Sequence, residues 1–358
     1  MKPVLLVTNH VPPDRVPGLI ALHDAVGLEL AIYDGRLHHA TAGVEDPGVP
    51  FQRLRPRAVH ALAASGRHRA VVATSAGRVA LPAAFSGARR AGVPFLYWTG
   101  IWAPVRTPAH LAGALLMRHI ERGADATLAY GPHVAAYALS RGARNVHVVP
   151  QTVDTEFWSQ PGDAAAARAR LGVGAEDFVA VYAGRATPGK GVEVLLDAWR
   201  GLPAGPNAVL ALAGVTGTDV VALPSGAQAL GMVARAELRD LYAAADVVVI
   251  PSVATRAFRE PWGLVANEAM LQGTLVVATD AVGAAAGGLV RDGHTGIVVP
   301  GGDPAALAAE INGLLDDPER HREAAAAGAR AAAQHTPLAF AQAVACAVST
   351  VAADTPPR

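Results

Sequence analysis

Short apolar runs alternate with stretches of helical periodicity along the whole chain. In the first half the runs fall at 4–8, 28–33, 70–73, 94–98, 127–130 and 146–149. In the second they fall at 179–183, 208–213, 247–250, 275–278 and 297–299. Runs that are apolar throughout, rather than alternately apolar and polar, suit strands buried on both faces. Strands spaced by helical segments predict parallel sheets with helices on both sides. The pattern restarts near Phe178, and Pro161-Gly162 lies in a polar stretch between the halves, so a linker is expected there. The predicted organisation is a first domain over 1–160 and a second over 161–335. A final segment over 336–358 holds a helix and a tail, Asp354 to Arg358, that reads as disordered.

A chain of 358 residues, half of them hydrophobic, can bury a core in each of two domains. Thirty basic residues cancel thirty acidic ones, which speaks against a nucleic-acid binder. Cys346 is the only cysteine; it excludes an internal disulfide framework and a cysteine metal cage, and in an Ala/Val-rich helix it reads as a buried thiol. The start, Met1 to Thr8, is too quickly polar for a signal peptide and reads as a first strand. Residues 336–353 are uncharged but alanine-rich, and read as a helix packed on protein rather than a membrane span. A cytoplasmic protein is expected, with peripheral contact at the inner face of the membrane left open.

Two segments carry the candidate chemistry. Glu260-Pro261-Trp262-Gly263-Leu264-Val265-Ala266-Asn267-Glu268 follows an apolar strand and a loop with Arg256 and Arg259, which read as solvated. It runs into a helix, so Glu260 sits on the loop and Glu268 about a turn and a half into the helix. The amides of Gly263, Leu264 and Val265 would be unpaired at that helix start and suited to an anion. Carboxylates beside an anion site make sense for a ligand that is both polyol and phosphate, such as a nucleotide sugar. The second segment, Gly184-Arg185-Ala186-Thr187-Pro188-Gly189-Lys190-Gly191, joins a strand to a helix and supplies a guanidinium and an ammonium for a diphosphate. It matches a P-loop except at its last position, where Gly191 stands instead of the Ser or Thr that would hold magnesium.

These segments resemble the retaining glycosyltransferases of family 4, whose pattern is Gly-Arg-x-x-Pro-x-Lys-Gly followed by two glutamates with seven residues between. The likeness extends through Gly231 to Asp246, and through Arg122-Gly-Ala-Asp125-Ala and His147 to Phe157, over about residues 118–335. It implies the GT-B fold: an α/β protein of two Rossmann-like, doubly wound parallel-sheet domains facing across a cleft, the first for the acceptor and the second for the nucleotide sugar. It implies that Arg185 and Lys190 hold the departing diphosphate, and that Glu260 contacts the transferred sugar and Glu268 the ribose. Met232 and Val233 would lie near the base. Gly184, Trp262 and the amides of Gly263, Leu264 and Val265 would line the donor site. The last helix would cross back to the first domain. The partners implied are a nucleotide diphosphate sugar and a small-molecule or lipid-linked acceptor.

The acceptor side departs from the common family pattern. The first strand leads not into a Gly-Gly loop but into Asn9-His10-Val11-Pro12-Pro13-Asp14-Arg15-Val16-Pro17. Asp14 and Arg15 there are candidates for an acidic or phosphorylated acceptor, or else belong to a rigid proline turn. Many members place a histidine after the fourth strand; this chain has Tyr97-Trp98-Thr99-Gly100-Ile101-Trp102 and no histidine before His110. Trp98 and Trp102 can stack on an acceptor, with at least one expected in the core. The thirteen histidines form no metal-binding pair; His38, His39 and His133 read as loop or surface residues. No Asp-x-Asp occurs, so no metal or other cofactor is expected. A catalytically inactive nucleotide-sugar binder is the alternative function. A dehydrogenase is disfavoured, because no Gly-x-Gly-x-x-Gly follows a strand.

Overall fold

A computed structural model describes residues 1–33, 44–202, 208–317 and 319–353. His38, His39 and the tail 354–358 lie outside the described residues. The chain divides into two compact units, one formed by Met1–Asp154 with His335–Arg358 and one by Thr155–Gln334.

The first unit holds seven strands among its described residues: β1 (Val4–Thr8), β2 (Leu28–Tyr33), β3 (Phe51–Leu54), β4 (Ala70–Thr74), β5 (Phe95–Thr99), β6 (Ala126–Ala129) and β7 (Val146–Val148). Their order is β3-β2-β1-β4-β5-β6-β7 and every pairing is parallel. Successive residues of a strand point to opposite faces, and here both faces are covered. Val4 and Leu6 join a core with Leu19, Trp98 and Phe340, while Leu5 and Val7 join one with Phe85, Phe95 and Ile120.

The second unit holds β8 (Phe178–Ala183), β9 (Ala208–Ala213), β10 (Ala227–Gly231), β11 (Val247–Ile250), β12 (Leu275–Thr279) and β13 (Ile297–Val299). Their order is β10-β9-β8-β11-β12-β13, again parallel throughout. Ala180, Tyr182, Leu210, Leu212, Val247 and Val277 meet Leu195, Trp199, Leu307 and Ile311 from the helices Val192–Arg200 and Pro304–Asp316 in one core. Asp303 caps the second of these helices, accepting from the amides of Ala305 and Ala306 at 3.0 Å each, and Pro304 opens it where no donor is needed.

Two parallel Rossmann-like sheets are therefore found, as the alternating runs predict. The two strands absent from the sequence reading, β3 and β10, are both edge strands. β3 reads Phe-Gln-Arg-Leu with half of its residues exposed, and β10 reads Ala-Gln-Ala-Leu-Gly and is only half-buried. An edge strand needs no continuous apolar run, so it leaves little signal.

The helix Pro337–Ala353 belongs to the first unit. Phe340, Ala341, Val344, Ala347, Val348 and Val351 are buried in its core, a spacing that marks one helical face. Cys346 falls off that face and is exposed, which corrects the expectation of a buried thiol. Among the described residues no helix is long and apolar enough to cross a membrane.

Phe340 is fully buried, with its ring 5.4 Å from that of Trp98 and within van der Waals distance of a Cβ placed on Gly18. Phe340→Ala should destabilise the first unit by about 3–5 kcal/mol, the usual cost of deleting a buried aromatic ring. Chemical denaturation followed by fluorescence measures this; an unchanged midpoint would show that the last helix is dispensable.

Candidate functional site

In the second unit the strand order reverses between β8 and β11. The segments leaving these two strands therefore part in opposite directions, and ligands of open parallel sheets bind beyond the carboxyl ends at such a point. Arg185 and Lys190 leave β8 there, and Ser252 and Glu260 leave β11.

The β8 loop is folded on itself and clamped. The Thr187 amide donates to the Arg185 carbonyl at 2.9 Å, the Lys190 amide to the Thr187 carbonyl at 3.0 Å, and the Val253 amide to the Gly189 carbonyl at 2.9 Å. Gly191 ends the loop in the left-handed region, at φ 72°, and a Cβ on it would stand 1.8 Å from the Pro251 carbonyl oxygen. Neither Ser nor Thr fits there, so the magnesium ligand of a P-loop is excluded sterically as well as by sequence.

The loop after β11 is pinned from the other side. The Gly283 amide donates to the Glu260 carbonyl at 3.0 Å and the Ala284 amide to the Trp262 carbonyl at 2.7 Å. This close approach requires glycine at 283, where a Cβ would lie 2.0 Å from the Pro261 oxygen. The tip of the loop is closed by Thr255, whose hydroxyl accepts from the Phe258 amide at 2.9 Å.

Between the two loops Glu260 is only 7 % exposed. Its Oε2 accepts from Lys190 Nζ at 2.5 Å and from Ser252 Oγ at 3.1 Å. A buried carboxylate needs such partners, because leaving it unpaired away from water is costly. Ser252 is itself fixed, its carbonyl accepting from the buried hydroxyl of Thr279. Tyr182 lies beneath, with its hydroxyl donating to the Arg185 carbonyl at 3.1 Å. Burial pushes the Tyr182 phenol well above its ordinary range; the negative charge of Glu260 pushes the same way and Arg185 opposes it. The phenol thus stays a neutral donor to the Arg185 carbonyl.

The helix after Glu260 runs Val265–Leu271, so Glu268 stands in its first turn. Glu268 is buried and its Oε2 accepts from the Tyr242 hydroxyl at 3.0 Å. The amides of Gly263, Leu264 and Val265 have no hydrogen-bond partner among the described residues. The Trp262 ring is packed: it is 4 % exposed and its indole N–H donates to the fully buried Asn267 at 2.8 Å. Gly184 and Gly231 flank the end of β9 from either side, through the Gly184 amide on the Ala213 carbonyl and the Gly214 amide on the Gly231 carbonyl. Met232, largely exposed, and Val233, half-buried, follow on that rim. Ser252, Tyr182, Tyr242 and Thr279 were missed as site residues, because nothing in their local sequence shows that they face a carboxylate or a loop carbonyl.

The residues singled out in the first unit do not form a comparable site. The Arg15 guanidinium lies 4.7 Å from the ring centre of Trp98 and 5.7 Å from that of Phe340, with Nη2 3.4 Å from Gln151 Oε1. Asp14 accepts from the Asp154 amide at 3.4 Å. Trp98 is buried against Phe340, Tyr130 and Arg15, the core role expected of at least one of the two tryptophans. Trp102 is half-buried, edge-on to the His133 ring at 5.1 Å. His133 is accordingly a half-buried helix residue rather than a loop or fully exposed one. Among the described residues no three His, Cys, Asp or Glu side chains are grouped to hold a metal.

Gly191→Ser should lower the stability of the second unit by about 3 kcal/mol or more, from overpacking against Pro251 and left-handed strain together. Urea denaturation measures it, and an unchanged midpoint would show the β8 loop is not clamped as described.

Residues 163–332 match the family described as Glycosyl transferases group 1. The D-inositol 3-phosphate glycosyltransferase 1 of Catenulispora acidiphila is 39 % identical over 196 residues, covering 49 % of this chain and 44 % of that protein. The D-inositol 3-phosphate glycosyltransferase of Xylanimonas cellulosilytica is 40 % identical over 208 residues, covering 53 % and 47 %. The match thus spans about half the length of these curated relatives. The crystal structure of Anabaena Alr3699/HepE in complex with UDP and glucose superposes with a TM-score of 0.78 at 22 % identity, over 97 % of this chain and 99 % of that one. Sucrose-phosphate synthase from Thermosynechococcus elongatus gives 0.78 at 21 % identity, over 99 % and 100 %. At such identities the likeness is one of fold, and the fold is GT-B. The unit that carries the Lys190, Ser252 and Glu260 cluster is the one that carries the Glycosyl transferases group 1 pattern.

Proposed function

We propose that this chain is a retaining glycosyltransferase that moves a sugar from a nucleoside diphosphate sugar to an acceptor hydroxyl. The observation that carries the reading is the Lys190 ammonium meeting the Glu260 carboxylate at the switch point of one sheet, on the loop that Arg185 opens. Such a site offers cations to a diphosphate and a carboxylate to the hydroxyls of the sugar attached to it. The family matched by residues 163–332 supports it. So do the names of the inositol phosphate glycosyltransferases and the UDP and glucose bound by the Anabaena neighbour.

The reaction breaks the bond between the anomeric carbon and the diphosphate oxygen. Negative charge grows on the diphosphate and is opposed by Arg185, Lys190 and the amides of Gly263, Leu264 and Val265. Positive charge grows on the sugar ring, which Glu260 orients through its hydroxyls. Attack comes from the face the diphosphate leaves, and the departing phosphate oxygen takes the acceptor's proton, so the anomeric configuration is retained. Glu268, held by Tyr242, accepts from the ribose hydroxyls, and Met232 and Val233 border the base. The acceptor is a small-molecule or lipid-linked hydroxyl, and the chain works in the cytoplasm.

Arg185→Ala and Glu260→Ala should each lower turnover by about 100-fold or more while the thermal midpoint stays near that of the parent. The assay is sugar transfer, with UDP and GDP and their sugars first screened by thermal shift, since a bound donor raises the midpoint by mass action. Near-parental turnover in both variants overturns the assignment. Donor binding without sugar release or transfer across an acceptor panel would instead identify an inactive nucleotide-sugar binder, a reading favoured by the lack of a histidine after β5.

Arg185 and Lys190 supply the charge that a metal supplies elsewhere, so EDTA should leave turnover unchanged. Loss of activity on chelation, restored by magnesium or manganese, would show that these two cations are insufficient.

A further inference from the structure

The first unit encloses a small cavity at the root of the loop that leaves β5. Tyr97, Thr99 and Ile101 wall it from the end of that strand, Glu121 from the helix Ala114–Gly123, and Tyr137 and Arg141 from the helix Pro132–Arg141. The space open to the centre of a water molecule is about 10 Å³. Tyr97 is 2 % exposed, and its hydroxyl has no hydrogen-bond partner among the described residues. Burial pushes the Tyr97 phenol well above its ordinary range, so it stays a neutral hydroxyl. The nearby Thr99 hydroxyl opposes that shift but remains beyond hydrogen-bond distance; it accepts from the Ile101 amide at 3.1 Å. Two nitrogens of Arg141 contact the same carboxylate oxygen of Glu121, Oε2, at 2.9 Å each. Burial pushes the Glu121 carboxyl above its ordinary range, and Arg141 opposes this without cancelling it.

A buried hydroxyl without a partner is costly, and a half-desolvated carboxylate gains from every further donor. Here both groups face one space. A water needs about 10–15 Å³ counted in this way, and two to four polar partners, so the cavity admits one water and nothing larger. An ion of either sign is disfavoured, because Glu121 repels an anion and Arg141 a cation. What fits is a neutral molecule that accepts and donates at once. We infer that this cavity is a binding site for one ordered water, which accepts from the Tyr97 hydroxyl and donates to the Glu121 carboxylate. The bridge joins β5 to the helix Ala114–Gly123, and the Arg141 contact carries it on to the helix Pro132–Arg141. It thereby fastens the root of the loop that bears Trp102. The inference does not depend on the transfer reaction and is tested without an activity assay.

Tyr97→Phe tests this through the sign of its effect. Phenylalanine keeps the ring and removes only the hydroxyl. If that hydroxyl holds a water, its loss leaves the water one partner short, and the thermal midpoint of the full chain should fall by about 2–4 °C. A hydroxyl with no partner predicts the opposite, because removing a buried unpaired polar group is neutral or stabilising. A crystal structure of the parent chain gives a second measurement that does not depend on the variant folding. It should show a water within hydrogen-bond distance of both Tyr97 Oη and a Glu121 carboxylate oxygen. An empty cavity in that crystal, or a Tyr97 hydroxyl bonded directly to a protein atom, overturns the inference. So does a midpoint that Tyr97→Phe leaves unchanged or raises.

Discussion

The Glu260 carboxylate, buried and shared between Lys190 and Ser252, is the constraint around which the second unit's rim is arranged. A carboxylate in that position is unfavourable without partners, and its partners come from two loops that leave the sheet in opposite directions. Each loop is held by backbone contacts at glycine: Gly191 against Pro251 on one side, Gly283 against Pro261 on the other. Replace either glycine and the loops move apart, and the Lys190 to Glu260 contact goes with them. The pair also sets a condition on the proposed donor. A diphosphate must share the Lys190 ammonium with Glu260, so the sugar hydroxyls that Glu260 would accept from and the phosphate that Lys190 would neutralise are coupled through one ion pair. Donor recognition at this rim is then a joint event rather than two independent contacts.

The same economy explains the depth of the supporting residues. Tyr182 is buried beneath the β8 loop, where a charged phenolate would be disfavoured and a neutral hydroxyl can bond the Arg185 carbonyl. Tyr242 orients Glu268, and Asn267 takes the Trp262 indole N–H. Trp262, Asn267 and Glu268 thus have their polar atoms fixed, while the amides of Gly263 to Val265 have no partner among the described residues. Preorganisation of this kind lowers the reorganisation needed when charge develops.

How far the sequence disclosed this differs between the two halves. The buried strands were readable because a strand covered on both faces must be apolar at every position, whereas β3 and β10 escaped because an edge strand carries no such demand. Arg185, Lys190 and Glu260 were readable because backbone geometry, glycines and charges sit together in short segments. Ser252 and Tyr182 were not, because their role depends on partners brought by chain folding from eight residues away, in the case of Glu260, or from beneath a loop. Cys346 was misplaced, and the burial of Trp262 was not foreseen, for a related reason. An aromatic ring or a thiol near a motif looks the same in sequence whether it turns toward the ligand, the core or the solvent, and only the helical or strand phase decides.

The first unit shows what happens when candidate chemistry is absorbed by the fold. Arg15 lies against Trp98 and Phe340 and Asp14 against the Asp154 amide, so the proline-rich loop after β1 is tied to the segment leaving β7 and to the last helix. A guanidinium held by two rings and a glutamine is a structural cation first. Exposed cations and leucines lie elsewhere, on the helices after β5, where Arg122 still donates to the Arg141 carbonyl at 3.4 Å. In this unit Arg15, Asp14 and Trp98 are tied into the packing around the last helix and the segment after β7.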